Sequence, residues 1–239
     1  MSGAEIVLAA GDIEVGHHRT ATVLGMTINV DTVYSSVLAG LIVFGLGFYM
    51  ARRASIGRPG KLQLAWETIV GAVQKQVESA MGPVAPFVVP LAVTLFLFIL
   101  IANWLELIPT EHYLVSPSAD INMTLALSLL VVFWVHLAHI KQRGLGAYLK
   151  HYAQPYPALI PLTVLEELVK PFTLALRLFG NIFAGGIMIA IIGLIPSWLL
   201  WLPNGLWKGF DAIIGVIQAF IFALLTILYF GFALGEEEH

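Results

Sequence analysis

Arg177 is the only charged residue between Lys170 and Lys208. The stretch around it, LALRLFGNIFAGG (174–186), is otherwise apolar or neutral. Arginine at the centre of a membrane-spanning helix costs at least ~2.5–3.5 kcal/mol on insertion scales. Arginine stays protonated at any physiological pH, so it holds a fixed charge. Asn181 follows at i+4, on the same helical face. Gly180, Gly185 and Gly186 remove side chains nearby, so that another helix could approach closely. Downstream, Asp211 and Gln218 share a helix face about 10.5 Å apart. Gly215, between them, keeps that face open. Asp211 is the only carboxylate between Glu167 and the acidic tail, and a buried Gln218 must find a hydrogen-bond partner or water. Glu106 with Asn103, and Glu166 and Glu167 with Lys170, complete the set. A fixed cation with polar and acidic groups leading away on both sides fits two water-accessible half-paths separated by a positive charge. There are no cysteines, which removes disulfides, thiolate nucleophiles and Cys-based metal sites.

Simpler explanations stand beside these. Arg177 could snorkel, although it lies about 15 residues into its helix. It could form a static pair with Asp211 or Glu106. The glycines could serve ordinary helix packing, and Asp211 could be an interfacial residue near Lys208 at i−3. Glu166 and Lys170 have the spacing of an i,i+4 pair. Asp120, ahead of Asn122, has the chemistry of a helix N-cap. His136 and His139 are read as facing the inner interface and receive no role. His17 and His18 form a lone dyad without a further ligand at useful spacing, so no metal site is assigned.

The elements that must hold these residues are membrane helices. The 239 residues are 59% hydrophobic and 11% charged, with a mean hydropathy of +0.87, which places the chain among integral membrane proteins. No basic stripe with interleaved aromatics is present, which argues against nucleic acid as a partner. Uncharged runs at 32–50 and 121–140, and the run 87–108 that stays uncharged until Glu106, each suit a ~30 Å hydrocarbon core. Two longer runs, 162–194 and 206–235, exceed that thickness and are expected to tilt. Pro196 and Pro203 bracket the turn between them. Residues 61–81 place Trp66, Val70, Val73, Val77 and Met81 on one face, predicting an amphipathic helix on the membrane surface. The predicted fold is an all-α polytopic membrane protein with five crossings. Residues 1–31 form an extracytoplasmic segment without a signal peptide, and 32–239 form one membrane domain. Arg52, Arg53, Arg58, Lys61, Lys75, Lys141, Arg143, Lys150 and Lys170 fall on one side, and Arg19, Lys208, Glu111 and Asp120 on the other. The positive-inside rule puts the N-terminus outside and the C-terminal EEEH inside.

KPFTLALRLFGNIFAGG (170–186) and IQAFIFALLTILYF (217–230) resemble the two signatures of subunit a of the F-type ATP synthase membrane sector. NWLELIP (103–109) and PSADIN (117–122) also fit, and the resemblance covers roughly 30–235. It implies a proton-conducting stator subunit, not an enzyme by itself, in a bacterial plasma membrane. The implied partners are the c-subunit ring, b-type peripheral-stalk subunits and the rest of the complex, with no cofactor. The tilted hairpin at about 162–235 would face the ring. Arg177 matches the essential arginine, and Asn181 and Gln218 match polar residues near it. Gly186 and Asp211 match positions that hold a titratable pair, such as Glu and His, in many members. Glu106 matches an acid of the outer half-channel. Glu166 and Glu167 lie about a turn from the usual inner-channel acid. A secondary transporter using Arg177 to bind an anionic substrate is the main alternative, although no repeat or clearly broken mid-membrane helix supports it. A purely structural anchor is a third.

Overall fold

The computed structural model describes residues 20–23, 26–55, 57, 59–81, 87–108, 116–153, 160–196 and 198–234. His17, His18, Arg19, Arg58, Pro86, Glu111 and the acidic tail lie outside them, as do the side chains of Met81, Arg143, Lys150 and Asn181.

The described chain begins with an antiparallel hairpin of β1 (Thr20–Val23) and β2 (Met26–Asn29), which pairs Thr20 with Asn29. This element was not expected. Thr20, Thr22, Val23, Thr27 and Ile28 are β-branched and favour extended chain. Helices α1 (Val30–Arg53), α2 (Lys61–Met81) and α3 (Val88–Leu105) follow. A 3-10 turn over Pro117–Ala119 leads into α4 (Ile121–Ala153), then α5 (Ile160–Ile192) and α6 (Trp201–Leu234). Among the described residues, five helices are long and apolar enough to cross a membrane: α1, α3, Ile121–Gln142 of α4, α5 and α6. The architecture is therefore that of an all-α polytopic membrane protein.

Three details depart from the sequence expectation. The α3 span stops at Leu105, and Glu106 follows it as the C-cap. Pro203 lies inside the first turn of α6, where a missing N–H leaves no broken bond. Beyond Gln142, helix continues where a loop was expected, broken at Gly144 with φ 81° and ψ 160°. Only glycine adopts that conformation without strain.

The apolar stripe of α2 does not face lipid. Trp66, Val70 and Val73 pack with Val43, Val93 and Leu97, and Val77 enters the main core. The flank beside that stripe carries Gln63–Glu67 and Gln74–Glu78 hydrogen bonds of 2.7 and 2.8 Å at i,i+4 spacing.

Helices α5 and α6 are each about 50 Å long by helical rise. They touch each other sparsely. The main partner of α6 is α3, and that of α5 is α4. The cause is legible on α6, where Gly215, Ala219 and Ala223 form a buried stripe of small residues at i, i+4 and i+8. Small side chains let two helix backbones approach closely. Leu174, Ala175 and Leu178 form the buried stripe of α5.

Candidate functional site

Arg177 sits beside the buried stripe of α5, but outside it. Leu174 and Leu178 are 2% and 1% exposed, whereas Arg177 lies on the open face with Phe172, Leu176, Gly180 and Phe183. Nothing within 4 Å would meet a side chain at Gly180. On α6 the same kind of open apolar face carries Ile213, Val216, Ile217 and Phe220. Among the described residues, no salt bridge reaches Arg177, and neither Asp211 nor Glu106 pairs with it. The static-pair explanation therefore lacks its partner within the described chain.

Two contacts fix how α5 runs against α6. A Cβ at Gly185 would lie 3.7 Å from Asp211 Oδ1, and Lys170 Nζ lies 5.6 Å from the Tyr229 ring centroid. Interpolation between them sets Arg177 level with about residue 220 of α6. The cation thus lies between an Asp211 end and a Glu167 end.

At the Asp211 end, α3 supplies Asn103, Trp104 and Glu106. Asn103 Nδ2 donates to the Gly215 carbonyl at 3.4 Å, and Trp104 Nε1 to that of Ala212 at 3.2 Å. The close approach at Gly215 is internal, since a Cβ there would meet that of Asn103 at 3.2 Å. Gln218, 7% exposed, lies on the same inward stripe. Neither faces an external partner, because the small-residue stripe turns this side of α6 onto α3. Burial pushes the Glu106 carboxyl up to about 7, with the charge of Asp211 adding and that of Lys208 opposing. Gly185 lies against Asp211. Asp120 caps α4 as expected, accepting from the Asn122 amide at 2.9 Å, and it also accepts from Asn29 Nδ2 at 2.7 Å. That second bond ties the β-hairpin to the bundle.

At the Glu167 end, Lys170 pairs with Glu167 and not with Glu166. Glu166 points outward and is exposed. Glu167 Oε2 also lies 3.7 Å from His136 Nε2 of α4. His136 Nδ1 is 3.5 Å from the Tyr148 hydroxyl, and the Tyr148 ring meets His139 edge-on. Twelve residues of unbroken helix would separate Tyr148 from His136 by about 18 Å. The break at Gly144 folds the chain back and closes that distance. His136, His139, Glu167, Lys170 and Tyr229 line a small cavity of about 50 Å³.

Sequence reasoning missed Asp31, 2% exposed at the head of α1, and gave no role to His136, Tyr148 or Tyr229. A carboxylate in the first turn of a spanning helix was a usable signal for Asp31. The histidine cluster had none, because it depends on the reversal at Gly144.

Fold and site define the class, a multi-pass helical membrane protein with an arginine on an open apolar face between two carboxylate-bearing clusters. A family model described as ATP synthase A chain matches residues 33–231. ATP synthase subunit a of Acidothermus cellulolyticus is 53% identical, covering 96% of this chain and 86% of its own length. The subunits a of Mycobacterium tuberculosis and Mycobacterium leprae are 52% and 47% identical, each over 98% of this chain and 99% and 98% of their own lengths. The chain belongs to the ATP synthase A chain family. The transporter alternative finds no support in these relatives.

Proposed function

We propose that the chain is the proton-conducting stator subunit of a rotary ATP synthase, acting with the complex and not as an enzyme alone. The observation that carries this is Arg177 on an open apolar face, with no salt bridge among the described residues and a carboxylate cluster toward each end. Its counter-ion is then a carboxylate on the c-subunit ring that comes and goes. Residues 32–239 form the membrane domain of a bacterial inner-membrane protein, with 1–31 outside and the C-terminus in the cytoplasm. The tilted α5–α6 pair faces the ring, with Gly180 and Gly186 as points of close approach. The b-type stalk subunits hold the chain against rotation.

A ring carboxyl in lipid stays protonated because burial disfavours its charge. Opposite Arg177 the ionised form wins, and each pKa unit of that change is worth about 1.36 kcal/mol. The proton leaves by one half-path. Another enters from the opposite half-path as the next carboxylate moves away. Asp211 and Glu106 serve the outer half-path. Glu166 and Glu167 serve the inner one, with Asn181 and Gln218 as polar neighbours of the arginine. One charge crossing the potential supplies ~2.3 kcal/mol per 100 mV.

Arg177→Lys is the test. A desolvated lysine loses its charge, and a labile proton beside both half-paths opens a leak. ATP synthesis in membranes carrying the assembled variant complex should fall to background. Normal synthesis would overturn the function proposed.

A further inference from the structure

We propose that His136 is the proton-relay group of the Glu167 end, taking protons from the cavity beside Tyr229 and passing them to the aqueous phase. This rests on the half-path function proposed above.

The cavity has room for one or two waters, since a water occupies ~30 Å³. Its polar lining comes from three helices: His136 and His139 on α4, Glu167 and Lys170 on α5, and Tyr229 on α6. Tyr229 lies about nine residues along α6 from the level of Arg177, roughly 14 Å by helical rise, which sets the cavity on the Glu167 side of the fixed cation. His136 retains 27% exposure of its side chain and Glu167 retains 22%, so both combine a polar protein contact with a position that is not sealed inside the bundle.

Each candidate group in the cluster has a different capacity for transfer. Lys170 and Glu167 are already paired with each other. Tyrosine gives up its proton only near pH ~10. Imidazole, with an ordinary value of ~6.5, exchanges protons near neutrality. His136 also has both ring nitrogens engaged, Nε2 facing Glu167 Oε2 and Nδ1 facing the Tyr148 hydroxyl. In one transfer the ring carboxylic acid releases H⁺ to cavity water and remains as carboxylate beside Arg177. Imidazole takes that proton and becomes imidazolium against Glu167. It then yields the proton to bulk water and returns to neutral. No electrons move and no covalent bond other than those to the proton changes. His139, 4% exposed, and Tyr148 orient the ring.

The test uses inverted membrane vesicles carrying the whole complex, with ATP-driven proton pumping measured against bath pH and lumen pH separately. His136→Gln should lower pumping at neutral bath pH by about tenfold or more, the lower range of general acid–base contributions being ~10²-fold at full effect. The dependence of pumping on bath pH should flatten while the lumen-pH profile stays unchanged. Added imidazole should restore part of the rate in His136→Ala and none in Arg177→Ala. An unchanged bath-pH profile in His136→Gln would overturn the relay. So would a pH-independent loss that imidazole does not rescue, which marks a structural role, or a change confined to lumen pH. Normal pumping by Arg177→Ala would instead sink the parent function, so the two failures are distinct.

Discussion

Asp211 of α6 lies against Gly185 of α5, with its Oδ1 3.7 Å from where a side chain at 185 would begin. Because α5 and α6 touch sparsely, this is one of the few places where the carboxylate end of one meets the backbone of the other. Gly185 leaves the space that Asp211 occupies. Asp211 is only half-buried.

That geometry predicts a size threshold at 185. A methyl group at 3.7 Å makes ordinary contact, so Gly185→Ala should pump protons at close to the normal rate. Gly185→Leu extends into the carboxylate and should lower proton pumping as Asp211→Asn does. Normal pumping by an assembled Gly185→Leu complex would separate Asp211 from the proton path.

Gly215 should behave differently, because its neighbours are the Asn103 and Trp104 side chains of a closely packed helix. A Cβ there would meet Asn103 Cβ at 3.2 Å, closer than well-packed side chains accept. Gly215→Ala must push α3 from α6 and should destabilise the chain by about 1–3 kcal/mol. A lowered thermal midpoint of the purified complex would confirm it, with the loss appearing before any change in Arg177-dependent coupling is examined.

The spans, the surface helix and the arginine were legible because hydropathy and periodicity act over many residues. Lys61–Met81 matches the amphipathic stretch read from sequence. The partner of that stripe was not legible. Trp66 and Val77 look the same in sequence whether they meet lipid or protein, and here they meet α1, α3 and the main core. The same limit applies to Lys170, whose spacing fits Glu166 or Glu167 equally until the helix face is known. Tyr148 lies twelve residues beyond His136, past the 121–140 run and where a loop was expected. Only the positive φ at Gly144 brings them together, and a single glycine does not announce its φ.

Gly144→Ala tests that reversal. No neighbouring atom blocks a Cβ there, so the cost is conformational, about 1–3 kcal/mol for a strained backbone. The variant should straighten the segment and separate Tyr148 from His136. Cysteine pairs placed at 136 and 148 should cross-link in the parent and lose that cross-link in Gly144→Ala. Equal cross-linking in both would show that the glycine is not what holds the turn.

Glu106 gives the pH-dependent prediction. It follows the last residue of the α3 span, and burial lifts its carboxyl from 4.5 to about 7. A carboxyl raised on folding favours the neutral form. Its contribution to stability is therefore complete below about 4.5 and is lost as pH rises through about 7. Glu106→Gln cannot ionise, so it should lose less thermal stability than the parent between those values, by up to about 3 kcal/mol. The same group is about half protonated at neutral pH and so can both accept and release protons. Glutamine cannot, and proton pumping should fall in the variant even where it is the more stable protein. Opposite movement of stability and conduction distinguishes a proton carrier from a structural carboxylate, for which both would fall together.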